Sequence, residues 1–230
     1  MNILKHIWRR ACGDKDYVAP IQIECRKERY GSEYGGWTIC PDMITSESIV
    51  YSFGIGNDIS FDIELIERFG VTVYAFDPTP KSIGWLKSQK LPEKFKAFDF
   101  GIADHDGFAL FYPPQNPSHV SYSAVKKALF PQEPIKAQVY RLQTIMDKLG
   151  HDHIDLLKMD IEGFEYGVIR DIIVSPIRIN QLLIEFHRWK QVGRSKTKKA
   201  IRLLNKRGFK IFEISEGGRG KEYSFIYTEW

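Results

Sequence analysis

Two stretches of this sequence gather groups suited to chemistry. The first is Ser52-Phe53-Gly54-Ile55-Gly56-Asn57-Asp58-Ile59-Ser60. A strand pattern meets a glycine turn there, and a helical pattern follows. Gly54 and Gly56 permit a tight turn and let a ligand approach with no Cβ in the way. The helix start offers free backbone N–H groups, and Asp58 or Ser60 suits its cap. A G-x-G pair alone is equally an ordinary tight turn, and the third glycine of the fuller dinucleotide fingerprint is missing. Asp77, followed by Pro78, ends the next strand. A carboxylate roughly 20 residues beyond the turn is placed to accept hydrogen bonds from ribose hydroxyls. By itself it would be a loop-opening Asp before proline. Asp99-Phe100-Gly101 closes a third strand at the same edge, where Phe100 can wall a planar base or, equally, belong to the core.

The second stretch is Asp155-Leu156-Leu157-Lys158-Met159-Asp160-Ile161-Glu162-Gly163-Phe164-Glu165. A mostly apolar run, as in a buried parallel strand, ends in three acids. Asp160 falls at the carboxyl end of that strand, where open α/β sheets bind ligands. Asp160 and Glu162 can hold an amino group, orient a hydroxyl or share a cation. Oxygen ligation would suit magnesium or calcium rather than a thiophilic metal, though no metal is required. Helix capping is the competing reading, and it leaves three acids in so short a run poorly explained. Glu185-Phe186-His187 closes the next strand. An imidazole there can take a proton from a hydroxyl. His187 is therefore read as a base, Asp160 and Glu162 as orienting groups, and Glu185 as a substrate contact, against the plain alternative of a structural histidine.

These residues need a scaffold, and the periodicity supplies one. Strand patterns at 48–53, 71–76, 95–100, 154–159 and 182–186 alternate with helical patterns at 61–69, 81–90, 165–173 and 195–206. Such alternation predicts a mostly parallel seven-stranded sheet covered on both faces. Strands at 209–214 and 223–227, joined by a glycine turn, predict an antiparallel edge strand. Residues 1–47 read as a helix and a ribbon, the latter alternating at 21–25 and 37–40. Residues 48–230 read as the main domain, with a proline-rich insertion at 113–134. Tyr112, His119, Ser121, Tyr122 and Ser123 in and beside it can line a substrate lid or belong to a mobile loop.

Composition narrows the classes. Hydrophobic residues at 43% and aromatics at 13% suit a folded globular chain rather than a disordered one. A net charge of +4 is too small to imply a nucleic-acid partner. The basic helix 195–206 is most simply a solvated face. Cys12, Cys25 and Cys40 form no C-x-x-C pair, which argues against a zinc site or disulfide framework and leaves a Cys25–Cys40 bridge open. No apolar run reaches the roughly 20 residues of a membrane span, and the first ten residues lack a signal-peptide core. A cytoplasmic protein is the expectation. The opening helix would pack on its own domain or touch a membrane surface.

The run from Leu156 to Glu165 closely resembles the signature of the FkbM family of S-adenosylmethionine-dependent methyltransferases. Leu182-Leu183-Ile184-Glu185-Phe186-His187 is similar to that family's next strand, and Ala75-Phe76-Asp77-Pro78-Thr79-Pro80 to its ribose-binding strand end. The resemblance extends from Ser48 to Trp230. It departs from the family at Leu142-Gln143, and Tyr34-Gly35-Gly36-Trp37 resembles a methyltransferase-like subgroup only. It implies a Rossmann-like class I methyltransferase fold with S-adenosylmethionine held by Ser52, Gly54, Gly56, Asp58, Ser60, Asp77, Pro78, Asp99, Phe100, Gly101 and Asp160. Ser52 stands where such enzymes commonly carry an acid. The implied acceptor is an oxygen of a sugar, glycan or natural product; the residues read here as its contacts are Tyr112, His119, Tyr122 and Glu185. A cofactor-binding module without catalysis and a nicotinamide-dependent oxidoreductase are the alternatives. Self-association is left open.

Overall fold

Apolar strands that alternate with amphipathic helices must bury both faces of a sheet. The computed structural model, which describes residues 19–114, 116, 120–124, 133–187, 194–215 and 221–229, shows how this chain does so. A ribbon of β1 (Glu28–Tyr30) and β2 (Trp37–Ile39) comes first. Then follow β3 (Ile49–Phe53), α1 (Ser60–Phe69), β4 (Thr72–Phe76), α2 (Pro80–Leu86) and β5 (Phe95–Phe98). Three strands come next, β6 (Gly101–Ile102), β7 (Gly107–Phe111) and β8 (Ile135–Tyr140), then α3 (Leu142–Leu149) and β9 (His153–Met159). The chain ends with α4 (Glu165–Val174), β10 (Arg178–Phe186), α5 (Arg194–Lys206), β11 (Phe209–Ser215) and β12 (Lys221–Tyr227).

The main sheet has seven strands in the order β11-β12-β10-β9-β3-β4-β5. From β10 to β5 every neighbouring pair is parallel. This is the Rossmann-like methyltransferase arrangement, in which the strand order reverses between β3 and β9. A crevice opens at such a reversal, outside the carboxyl ends of the strands. The period-2 alternation of each strand sorts the core. Tyr51, Phe53, Leu157 and Met159 face Leu142, Ile145, Val168, Ile169 and Ile201 of the helices on one side. Val50, Val73, Ala75 and Leu156 face Phe61, Leu65 and Ile66 of α1 on the other. Helix α1 stops where Gly70 adopts φ 68° and its N–H bonds to the carbonyl of Ile66, a left-handed ending that glycine accepts without strain.

The ribbon is part of the second face. Tyr30, Trp37 and Ile39 are buried among the same residues as α1. Gln181 clamps the end of β2, accepting from the Cys40 N–H at 2.8 Å and donating to the Cys40 carbonyl at 3.0 Å. Cys25 and Cys40 are free thiols.

The structure departs from the sequence expectations in four places. The ribbon's first strand is Glu28–Tyr30, not 21–25. Gln22 and Ile23 instead donate their N–H groups to the Ile211 carbonyl, beside a register shift in β11. The third strand ends at Phe98, because Gly101–Ile102 leaves the main sheet to pair with β8. Helix α2 ends at Leu86 rather than near Lys90; Ser88 donates both its amide (2.9 Å) and its hydroxyl (2.6 Å) to the Trp85 carbonyl, a local bond that competes with helix. Strands β6, β8 and β7 build a separate three-stranded sheet, so β8 begins at Ile135. The last two strands do form the expected antiparallel edge: β12 runs antiparallel between β10 and the edge strand β11.

Candidate active site

Strands β3, β4, β9 and β10 end on one side of the sheet, and the turns that follow them meet there. Gly54 (φ 83°) and Gly56 (φ 59°) hold left-handed backbone after β3. A Cβ on Gly54 would lie 1.7 Å from the carbonyl oxygen of Asp160, so only glycine fits. Asp77 is buried behind this turn. Its Oδ2 accepts from Ile55 N (3.1 Å) and Gly56 N (3.2 Å), while its Oδ1 accepts from the amide (2.9 Å) and hydroxyl (2.6 Å) of Thr79. Four donors fill the acceptor capacity of a carboxylate. Asp77 therefore fixes the shape of the glycine turn.

Below the turn lies a polar group that the sequence did not announce. Lys158 on β9 stands opposite Ser52 on β3 in the sheet ladder. The Lys158 ammonium donates to the Gly54 carbonyl at 2.6 Å and lies over the Trp37 ring at 5.8 Å. Asp62 of α1 is buried nearby; burial raises its pKa, and the Lys158 charge and Ser52 hydroxyl oppose that rise. Ser52 itself is fully buried. It belongs to this support, and the structure does not bring it to the ligand edge.

Asp58 and Ser60 anchor the ribbon. Asp58 accepts from the Ser60 N–H (2.9 Å) and the Ser32 hydroxyl (2.6 Å), and the Ser60 hydroxyl accepts from the Ser32 N–H (2.7 Å). Burial pushes the Asp58 carboxyl up, but these bonds and Lys158 hold it below the usual carboxylate range. The ribbon turn thus sits on the start of α1 and carries Tyr34, whose side chain stands 82% exposed. Shielding of the Tyr34 hydroxyl, then the charges of Asp160, Glu185, Glu162 and Asp58, raise its pKa. The phenol is therefore within electrostatic reach of the acids after β9 and β10.

Those acids surround His187. The ring is buried, and its Nδ1 lies 2.8 Å from Oε1 of Glu165, which is itself fully buried. Nε2 lies 3.6 Å from Asp160, 3.6 Å from Glu162 and 3.8 Å from Glu185. Burial alone would lower the His187 pKa; the hydrogen bond its Nδ1–H donates to Glu165 and the charges of Glu165, Asp160 and Glu162 hold it at about 10. Burial and then Asp160 push Glu185 up to about 7, and burial also raises Glu162. Glu162 adopts φ 49°, uncommon for a residue with a side chain. Neither Asp160 nor Glu162 caps α4, whose cap residue is Phe164 and lacks a side-chain bond.

The insertion reaches the same place. Tyr112 and Ser123 exchange backbone bonds at 2.8 and 2.9 Å, and Ala124 N–H donates to the Glu162 carbonyl at 3.0 Å. Val120 would lie 3.6 Å from a Cβ on Gly56. Tyr122 packs beside Phe111 and Val139. His119 lies outside the described residues. At the β5 end Asp99 is exposed, while Phe100 packs against Phe76, Phe98 and Tyr140 at ring separations of 5.4, 5.5 and 5.1 Å. Pro78 covers Gly101, where a Cβ would meet its ring at 3.0 Å. One edge therefore unites Gly54, Gly56, Asp77, Asp160, Glu162, Glu185 and His187. The functional neighbours missed in the sequence are Thr79, Lys158, Tyr34 and the pairing of Glu165 with His187.

The profile of the methyltransferase FkbM domain matches residues 41–211. Methyltransferase-like protein 24 of Rattus norvegicus is 26% identical over 190 residues, covering 75% of this chain and 46% of that protein. The Homo sapiens protein of the same name is 26% identical over 189 residues, covering 74% and 45%. The matched part thus spans less than half the length of these relatives. Among solved structures, M. jannaschii TYW2 in complex with AdoMet aligns with 92% of this chain and 91% of its own at a TM-score of 0.38 and 10% identity. No helix among the described residues is long and apolar enough to cross a membrane.

Proposed function

The chain belongs to the FkbM methyltransferase family, and on that premise we propose that it moves a methyl group from S-adenosylmethionine to an oxygen of a sugar, glycan or other small hydroxylated acceptor. The observation that carries this reading is the contact between Gly54 and the carbonyl of Asp160. It makes the turn that would receive the donor and the acids that would receive the acceptor two sides of one crevice.

The residues fit the donor. Gly54 and Gly56 leave a cradle that a Cβ at Gly54 would fill, and Asp160 adds a carboxylate beside it for an amino group. Pro78, Phe100 and Gly101 would border its base. Asp77 serves it by fixing the turn; a ribose hydroxyl would bond to this carboxylate in exchange for the Thr79 hydroxyl. The bound donor supplies an electrophilic methyl group on a sulfonium. The remaining work is alignment and proton removal. Asp160, Glu162 and Glu185 orient the acceptor hydroxyl, and its proton is taken within the cluster they form with His187. Glu165 fixes the imidazole so that Nε2 faces those carboxylates. The Tyr34 ring and the 120–124 segment would bound the acceptor.

Calorimetric titration of the full chain with S-adenosylmethionine and with NAD tests the reading. Binding of the first alone is expected. Binding of NAD alone would make the chain an oxidoreductase, and binding of neither would remove the donor site.

A further inference from the structure

We propose that Asp160, Glu185 and His187 are the protein ligands of a divalent cation, with Glu162 at its rim. Three observations support the site. The first is spacing. One ligand atom from each of Asp160, Glu185 and His187 lies within 4.8 Å of the other two. The separations of 3.6 and 3.8 Å from His187 Nε2 to Asp160 and Glu185 exceed a hydrogen bond. Two atoms each about 2.1 Å from one ion would stand about 3.0 Å apart at a right angle and about 3.6 Å apart at 120°. The side chains thus stand around a centre that an ion would draw together.

The second observation lies outside that group. Glu165 is fully buried and holds Nδ1 of His187 at 2.8 Å. A metal-bound histidine almost always gives its other ring nitrogen to a carboxylate or carbonyl, which sets the tautomer and aims the ring. Glu165 comes from α4 and His187 from the end of β10, so the pairing is a product of the fold.

The third is charge. Asp160, Glu162 and Glu185 converge, yet among the described residues their ion-pair contacts are all to His187 and none is to lysine or arginine. Their side chains are 34%, 22% and 13% exposed, so the group opens on one side. An ion there could keep water ligands or exchange them for acceptor oxygens. One imidazole nitrogen with two or three carboxylates suits manganese, whereas magnesium prefers oxygen ligands alone; the ion would displace the proton on His187 Nε2. The role as holder of the acceptor hydroxyl rests on the methyl-transfer reading; the ion site itself does not.

The test is titration of manganese(II) into chelator-treated full chain, with free ion counted by electron paramagnetic resonance. One ion per chain is expected. Glu185→Gln and His187→Ala should each weaken binding at least about 10-fold, and Glu165→Gln by about 10- to 100-fold. Circular dichroism of each variant keeps loss of fold apart from loss of ligand. Wild-type chain that binds no manganese, or folded Glu185→Gln and His187→Ala proteins that bind it unchanged, would overturn the proposal. So would a site that takes an alkylammonium ion but not manganese. Calorimetry with S-adenosylmethionine on the same samples separates the two readings: manganese without donor keeps the ion site and removes methyl transfer, and donor without manganese does the reverse.

Discussion

A Cβ placed on Gly54 would stand 1.7 Å from the carbonyl oxygen of Asp160. The two residues lie at the ends of neighbouring parallel strands, β3 and β9, whose register pairs Phe53 with Met159. Sheet pairing therefore sets the distance between the glycine turn and the acids, and no loop can alter it.

Gly54→Ala tests this relationship directly. The new methyl group must displace backbone, and alanine is strained at φ 83°. A loss of at least about 2 kcal/mol in stability is expected, together with loss of S-adenosylmethionine binding. Chemical denaturation and calorimetry measure both. A variant with wild-type stability would show that the turn is looser than its geometry.

Asp77→Asn replaces an acceptor of four hydrogen bonds with a side chain that must point an NH2 group at other donors. A destabilisation of about 2 kcal/mol is expected, since hydrogen bonds to charged groups are worth about 1.5–3 kcal/mol each and only part would be lost. Donor affinity should fall with it. Asp77→Glu should not rescue either property, because the longer side chain misplaces the oxygens. Thermal melts with and without S-adenosylmethionine decide.

The glycine turn, Asp77 and the acids from Asp160 onward were legible in the sequence because each closes a strand, and strand ends share an edge in a parallel sheet. What stayed hidden depends on pairings between distant segments. Ser52 looked like a ligand contact by position, but the β3–β9 register sets it against Lys158 inside the core. Glu165 looked like a helix start; only the packing of α4 on β10 shows it holding His187. Asp58 and Ser60 read as a helix cap, and their bonds to Ser32 needed the ribbon to be placed. The small sheet of β6, β7 and β8 escaped because one of its strands is only Gly101–Ile102, too short for any period.

Tyr34→Ala removes an exposed ring within electrostatic reach of the acids and cuts none of the described hydrogen bonds that hold the ribbon turn, since Ser32 and Gly31 carry those. Donor affinity and melting temperature should stay unchanged while the acceptor KM rises about 10-fold, the cost of roughly one aromatic contact. An unchanged KM with a surveyed acceptor would place Tyr34 outside acceptor binding.

His187→Ala leaves Glu165 buried without its imidazole partner and removes the atom that the three acids surround. Turnover is expected to fall about 10²- to 10⁴-fold, the range for loss of a group in proton transfer, while S-adenosylmethionine affinity stays within a few-fold. Single-turnover assays with saturating donor measure the first and calorimetry the second. Full turnover would take His187 out of the mechanism.

Asp62 offers a test by pH. Its carboxyl is buried, one oxygen has no hydrogen-bond partner, and burial raises its pKa above the usual carboxylate range against the opposing pull of Lys158. A group whose pKa is raised by folding contributes stability that is present below its unfolded pKa and is lost as pH rises through its folded pKa. Wild type should therefore lose stability through Asp62 between acid and neutral pH, whereas Asp62→Asn, isosteric and never charged, should not. The variant is expected to melt as high as wild type or higher at pH 8, and the difference should shift against the variant at pH 4. A wild type that gains on the variant as pH rises would mean that Lys158 outweighs burial, and that the Asp62–Lys158 pair supports the turn as an ion pair.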